Sequence, residues 1–502
     1  MLKLPKQFIA EMTDLWSSYN PPGDLEDFLA SFQDEPSAGL ILNRLKVQTL
    51  SDLSCGDLPP VPWARAGYFL PQGHKLSSSL AYRQGLFYLQ DPSAMLPADL
   101  ADAQPGEKVL DLCAAPGGKA FAVLGSLGDQ GLLWANEINE KRARALSRNV
   151  ELAGSALCLI SCRDALGFAQ QLSGALPVFD LVLADVPCTG SAMFRKDPRA
   201  LRSWSRYRGQ AILDLQAAIL EEAAANLRPG GRLVYSTCSY SWAENEGQLI
   251  RFLDRHPDFS LLPACRPEVS PGLADPDGRY PTTYSLRIWP HLARGEGQFA
   301  ALLVKAEDPA EPLPEPSLPL KQKNLRPDRQ VHASWEAFRQ DNLSGQGRLA
   351  AALASQHFYL RTQEDKLHLV PAQAPLARQS YYMKTGLYLG QSKGEGEALS
   401  FQPSQALVQF LSLEDLSWAL DLADGPLLRA SLRGETLLRD QVLAAYSHQE
   451  VHLYHEGACL SDDAFSKIKA GAYLALTHQG RPLMWLKQQD HFFKNAYPRS
   501  WI

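Results

Sequence analysis

Three short segments carry residue types suited to chemistry. The run Leu110-Asp-Leu-Cys-Ala-Ala-Pro-Gly-Gly-Lys119 joins an apolar stretch to a glycine turn, and two cysteine motifs follow, Asp185-Val-Pro-Cys188 and Ser236-Thr-Cys-Ser239. A buried strand feeding a Gly-rich turn and then a helix holds a nucleotide-like cofactor against the helix N-terminus. Each cysteine motif ends a later apolar run, which delivers both thiols to the same edge of a parallel sheet. A cofactor loop with two thiols beside it is equipment for methylating C5 of a pyrimidine. That carbon is a poor nucleophile. A thiolate adding to C6 makes C5 enamine-like, and a base then removes the C5 proton as the thiol leaves. Residue types alone leave open whether Cys188 or Cys238 attacks.

Cys113, Ala114, Ala115, Pro116, Gly117, Gly118 and Lys119 are the candidate cofactor contacts of the loop. Glu137 ends the next apolar run, about 20 residues after Gly118, the interval at which an acid meets ribose hydroxyls. Its plainer reading is a helix N-terminal charge worth ~0.3–1 kcal/mol. Asp164 follows a third run, placed to accept from an exocyclic adenine amine or to cap a helix. The G-x-G-x-x-G fingerprint of NAD sites is missing. S-adenosylmethionine, which carries a carboxylate in place of a pyrophosphate, suits this shorter loop better.

Positioning these groups requires an α/β unit. Apolar strands are expected at 108–112, 132–137, 157–161, 179–185 and 232–237. Between them, Ala143, Leu146, Val150 and Ala153 form a helical stripe ending at Gly154. A second stripe, Ile212, Leu215, Ile219, Leu220, Ala223 and Leu227, is closed by Pro229-Gly-Gly231. Such alternation predicts a Rossmann-like, mostly parallel, doubly wound sheet with helices on both faces. Phe8, Met12, Leu15 and Trp16 fall near one face of an N-terminal helix. The Pro- and Glu-rich stretch 307–319 reads as an extended linker. The expected organisation is a small N-terminal α+β RNA-binding domain (1–85), a catalytic domain (86–305), a linker (306–330), an accessory module (331–400) and a β-rich RNA-binding module (401–502).

Composition narrows the setting. The 502 residues are 45% hydrophobic and 21% charged with a formal charge of −6, so a polyanion must be held by a local basic patch. No uncharged run reaches membrane-spanning length and the first residues lack a signal-peptide core, giving a cytoplasmic protein, expected as a monomer. The 8 cysteines include no CxxC pair, which argues against a zinc ribbon, and Cys158 and Cys162 read as packing in or beside a strand. His448, His452 and His455 lie on a strand-like run that sends the last two to opposite faces, so no metal is expected.

The motifs together resemble the Nol1/Nop2/Sun family of RNA cytosine-5 methyltransferases over roughly residues 40 to 305. The resemblance rests on Gln90-Asp-Pro-Ser-Ala-Met95, Leu112–Lys119, Asp185-Val-Pro-Cys-Thr-Gly190, Met193-Phe-Arg-Lys196, Tyr235-Ser-Thr-Cys-Ser239, Pro290-His291 and Gly295-Glu-Gly-Gln-Phe299. It implies Cys238 as nucleophile, Cys188 as the thiol that assists release, and Asp185 as a contact to base or cofactor. The C-terminal segments Gly386-Leu-Tyr-Leu-Gly390, Phe401-Gln-Pro-Ser404 and Lys494-Asn-Ala-Tyr-Pro498 are similar to the PUA-like end of the long bacterial members, which implies 16S rRNA as substrate. Ala120, where Thr is common, and Ile41, where Arg is usual, depart from the pattern.

A basic run follows the first cysteine loop. Arg195, Lys196, Arg199, Arg202, Arg206 and Arg208 are opposed only by Asp197 and interleaved with Phe194, Trp204 and Tyr207. It is expected to hold RNA, its aromatic rings stacking on splayed bases, against the plainer reading of a solvated face. Two other functions fit the same motifs: a tRNA cytosine-5 methyltransferase, and a non-catalytic RNA-binding assembly factor that retains the fold.

Overall fold

The computed structural model describes residues 2–53, 55–168, 179–307, 328–374, 382–394, 396, 399–455, 458–460 and 462–496. Most of the expected linker, and the tail of the Lys494–Pro498 motif, lie outside the described residues.

The N-terminal unit opens with helices α1 (Lys6–Tyr19) and α2 (Leu25–Ala30). The apolar face of α1 buries Phe8, Met12 and Leu15. These join Phe28, Phe32, Phe194, Trp204, Tyr240 and Trp289 in one aromatic cluster, so the helix is fastened to the catalytic body. Full burial of each large ring contributes ~1.5–3 kcal/mol. Strands β1 (Gly39–Leu42), β2 (Gly67–Phe69) and β3 (Phe87–Gln90) form an antiparallel sheet in the order β2-β1-β3. Strand β3 therefore carries the N-terminal sheet past the expected boundary at residue 85.

The catalytic body is built on β4 (Lys108–Asp111), β5 (Leu132–Asn136), β6 (Cys158–Ser161), β7 (Phe179–Asp185) and β8 (Leu227–Thr237). These five pair in parallel in the order β8-β7-β4-β5-β6. The chain builds outward from β4 through β5 to β6, then crosses to the other side of β4 for β7. The crevice between the carboxyl ends of β4 and β7 is thus the topological switch point, where ligands of such sheets bind. Helices α3 (Leu80–Arg83) and α4 (Leu96–Ala101) precede the sheet, and α5 (Gly118–Leu127) and α6 (Glu140–Ala153) cover it. Gly154 ends α6 in the left-handed region. A Cβ there would meet the Gln409 carbonyl at 2.3 Å, so the turn and a close approach both demand glycine.

Helix α7 (Pro198–Tyr207) is capped by Asp197, and α8 (Gln210–Asn226) runs directly into β8. The expected Pro229-Gly-Gly231 turn instead lies within that extended segment. After α9 (Glu246–Arg255) the sheet continues beyond β8 with antiparallel strands, which the sequence pattern does not foretell. The short β9 (Phe259–Leu261) pairs with β12 (Gln298–Lys305), and β10 (Ser270–Pro271) and β11 (Leu286–Ile288) complete that side.

The C-terminal part starts with α10 (Arg329–Asn342), whose cap Asp328 accepts from Gln330 and Val331 amides, and α11 (Gly347–Ala354). Strands β13 (Phe358–Gln363), β14 (Lys366–Pro371), β16 (Leu387–Lys393) and β17 (Ser400–Pro403) make an antiparallel sheet. Between them β15 (Tyr382–Thr385) leaves that sheet and pairs with β6 at the far edge of the catalytic sheet. The expected boundary at 400/401 falls inside β17. A seven-stranded sheet follows over residues 418–495, led into by α12 (Gln405–Phe410). Among the described residues no helix is long and apolar enough to cross a membrane, and no group of His, Cys, Asp or Glu is arranged to hold a metal. His452 and His455 lie on the strand Val451–His455.

Candidate active site

Strands β7 and β8 are parallel neighbours with Asp185 opposite Ser236. Each chain leaves its strand just beyond that pair, and the two cysteines emerge side by side. The Sγ atoms of Cys188 and Cys238 stand 3.2 Å apart. The hydrogen bond to Cys238 and burial, reinforced by the nearby Glu244 and Asp185 carboxylates, push the Cys188 thiol well above its ordinary range. Cys188 therefore keeps its proton at neutral pH.

Asp185 is held from three directions. Lys119 Nζ donates to Oδ2 at 2.7 Å, Ser236 Oγ donates to Oδ1 at 2.7 Å, and Gln298 Nε2 reaches Oδ1 at 3.4 Å. Burial works against the Lys119 ammonium, yet Asp185 outweighs it and the pKa lies above its ordinary value. Lys119 links the cofactor loop to the thiol loops. Behind it, Asp111 ends β4 fully buried, and burial raises its pKa to about 7, with Asp185 and Glu137 adding to the shift and Lys119 opposing it.

The loop after β4 is fixed from behind. Its Ala114 amide donates to the Asn136 carbonyl, while Arg142 Nη2 and Asn149 Nδ2 of α6 donate to the carbonyls of Ala115 and Pro116, each at 2.7 Å. Gly117 caps α5 with φ 112°. A Cβ on Gly118 would stand 2.8 Å from the Gln90 side-chain amide, so this glycine lets β3 close over the loop. Burial and the adjacent Asp111 push the Cys113 thiol well up, so it stays a neutral wall of the loop.

Glu137, 2% exposed, follows β5; one oxygen accepts the Asn139 amide and the other pairs with Arg142 at 3.2 Å. Asp164 is exposed beyond β6, and its Oδ1 accepts the Leu166 amide at 3.0 Å in a local turn rather than at the start of a helix.

The basic run divides. Arg195 has a side chain only 5% exposed, paired with Glu296 at 2.7 Å and donating to the Ser31 and Gly295 carbonyls. Lys196 is paired with Asp91 at 2.5 Å. Both side chains are engaged within the body, where these pairs brace it. Phe194 and Trp204 are core residues, which corrects their expected stacking; Tyr207 alone of the three is exposed. Arg199, Arg202, Arg206 and Arg208 lie exposed on or just after α7, Arg199 paired with Asp197.

Asp111, Ser236 and Gln298 lie inside the sequence motifs, where the residue pattern gives them no role, and the tripeptide Glu244-Asn-Glu246 lies outside all of them. All three residues of the tripeptide, at the start of α9, are buried. Asn245 accepts from Thr237 Oγ1 and donates to the Ser239 carbonyl, bracketing Cys238, and Glu246 forms a buried pair with Arg287. Their signal was three consecutive polar residues close behind a cysteine motif.

A family model described as 16S rRNA methyltransferase RsmB/F matches residues 98–304, and one for the N-terminal domain of 16S rRNA methyltransferase RsmF matches residues 4–92. The ribosomal RNA small subunit methyltransferase F of an Escherichia coli strain is 31% identical over 66% of this chain and 71% of its own length. The chain belongs to the RsmB/F methyltransferase family. The Klebsiella pneumoniae member is 28% identical over 99% of the chain and 96% of its own length, so the likeness includes the C-terminal modules. The Shewanella piezotolerans member is 33% identical, and the chain spans 64% of its length. A solved methyltransferase homologue from Pyrococcus horikoshii, 26% identical, covers 60% of the chain and 100% of its own with a TM-score of 0.50.

S-adenosylmethionine is the cofactor of this RsmB/F chain. The residues present fit it. The switch-point crevice supplies acids at the ends of β4, β5 and β7, and Gln90 Oε1, buried beside Gly118, has no hydrogen-bond partner among the described residues. An orphaned acceptor there suits an ammonium group such as that of the methionine moiety.

Proposed function

We propose that the protein methylates C5 of cytosine in 16S rRNA through a covalent adduct between Cys238 and C6. The observation that carries this reading is the pair of thiols 3.2 Å apart at the switch point, beside an Asp185 shared with the cofactor loop through Lys119. Bound in the crevice, S-adenosylmethionine supplies the methyl group. Loop residues 113–119 would hold its methionine end, Glu137 its ribose and Asp164 its adenine.

The chain does the rest. Cys238 adds to C6 as a thiolate, forming the S–C6 bond while C5 becomes the nucleophilic carbon. Asp185, fixed by Lys119, Ser236 and Gln298, recognises the N3 edge of the base. Cys188 keeps its proton beside the sulfur that must depart. Once C5 carries the methyl group and gives up its proton to a base, the S–C6 bond breaks and the ring regains its double bond. The cytosine must leave any stack to reach these thiols. The exposed arginines of α7 are proposed to grip the flanking strand, with the C-terminal modules as a second site. Family membership favours rRNA over tRNA.

Bisulfite sequencing of 16S rRNA, 30S subunits and tRNA incubated with the purified protein and S-adenosylmethionine tests the reading. A new protected cytosine in 16S rRNA, free or in subunits, is expected. Protection in tRNA alone would move the substrate, and RNA binding without methyl transfer would leave an assembly factor.

A further inference from the structure

Glu244 sits behind the two cysteines, only 2% exposed, with four donors converging on its carboxylate. Thr189, the residue after Cys188, gives its amide to Oε2 at 2.9 Å and its hydroxyl to Oε1 at 2.5 Å. Ser239, the residue after Cys238, gives its hydroxyl to Oε1 at 2.6 Å. Gln216 of α8 donates to Oε2 at 2.9 Å and also to the Pro187 carbonyl at 3.0 Å. Tyr235 fixes the Glu244 backbone by donating to its carbonyl at 2.5 Å. Among the described residues Glu244 forms no ion pair, so neutral donors alone offset the burial of its charge. An ionised carboxylate has about four lone-pair sites and no donor, and all of them are used here.

We propose that Glu244 is the positioning residue of the thiol pair, its one carboxylate tying the loop after Cys188 to the loop after Cys238 and so setting the distance between the sulfurs. The inference rests on the two-thiol reading above for its purpose, though not for its geometry. Each cysteine is followed immediately by a residue bonded to the same carboxylate. Without it, the two hydroxyls and the Thr189 amide lose a shared acceptor, and each loop is free to settle separately.

The role is one of placement rather than proton transfer, and glutamine separates the two. In Glu244→Gln, the amide oxygen can keep the Thr189 and Gln216 N–H donors. The amide NH2 can then face the two hydroxyls, which rotate to accept. The tie survives while the charge is lost.

Dibromobimane, which bridges two thiols only when they are close, reads the geometry directly in the full-length protein, with the bridged peptides identified by mass spectrometry. Wild type and Glu244→Gln should bridge Cys188 to Cys238 at similar rates. Glu244→Ala, losing charge-assisted bonds, should bridge about 10-fold or more slowly. Its kcat should fall while KM for RNA and cofactor affinity stay near wild type. Thr189→Val and Ser239→Ala each remove one hydroxyl donor, the residue-189 amide being kept in the former, and should each slow bridging, Ser239→Ala the more, which keeps the test intact if Glu244→Ala does not fold. Wild-type bridging in Glu244→Ala, or in both single-arm variants, overturns the proposal. So does a Glu244→Gln protein in which bridging is as slow as in Glu244→Ala. Failure of the functional reading looks different: a wild-type protein that bridges normally and makes no 5-methylcytosine.

Discussion

Ser236 donates its hydroxyl to Asp185 at 2.7 Å across the parallel pair β7 and β8, joining the residue before the Thr-Cys-Ser loop to the one that opens the Pro-Cys loop. This bond fixes one oxygen of the carboxylate while Lys119 takes the other. Ser236→Ala should therefore lower kcat/KM by about 10-fold, the value of one hydrogen bond to a charged group. Cofactor affinity, measured by calorimetry, should hardly change. A variant as active as wild type would show that Lys119 suffices to orient Asp185.

The two thiols differ in what their loss should leave behind. Cys238→Ala should abolish methyl transfer and give no protein–RNA adduct. Cys188→Ala should still attack and release poorly, so a covalent adduct accumulates on a denaturing gel. Adduct accumulating in Cys238→Ala instead would reverse the assignments.

Asp111 links pH to stability. Its carboxyl titrates near 3.8 in the unfolded chain and at about 7 in the buried site. A raised acid favours the fold fully below the lower value, and that contribution is lost as pH rises through the higher one. Asp111→Asn, which keeps the oxygen that accepts the Cys113 amide, has no such dependence. Relative to wild type, its unfolding free energy should climb by roughly 4 kcal/mol between pH 4 and 7 and then level off. Denaturant melts across that range give the curve, and parallel curves for the two proteins would mean that water reaches Asp111.

Glu137 has neighbours of its own, so its loss should be read through the ligand. On the proposed ribose-binding role, Glu137→Ala should lose charge-assisted bonds to the hydroxyls and weaken S-adenosylmethionine binding by roughly 10- to 150-fold. Calorimetry on folded Glu137→Ala with unchanged affinity would reduce it to the partner of Arg142.

The strands and helices around the switch point were legible because their apolar periodicity is strong and capped, as in α6 ending at Gly154. What escaped has a common cause. Glu244, Asn245 and Glu246 are polar residues buried by partners distant in sequence, and no local pattern separates a satisfied buried acid from a solvated one. The pairing of Arg195 escaped in the same way. In the sequence Arg195 belongs to a basic run, and only the fold brings Glu296 to it. Strand β15 was missed as a sheet partner because pairing with β6 is a long-range choice of an edge, which its own residues do not record.

That division of the basic run gives the last prediction. Arg195→Ala should unfold the protein more easily, because removing one member of a buried pair costs about 3–5 kcal/mol and leaves Glu296 uncompensated. The exposed arginines of α7 should behave in the opposite way. Replacing Arg199, Arg202 and Arg206 with Ala should leave the melting curve nearly unchanged while RNA affinity falls. The plot of log affinity against log salt should flatten by about 0.7 for each single-strand phosphate that is no longer neutralised. Counterion release requires a charge that meets a phosphate, so structural damage alone does not alter that slope. An unaltered slope in the triple variant would show that α7 presents only a solvated face, and the search for the RNA grip would move to the C-terminal sheets.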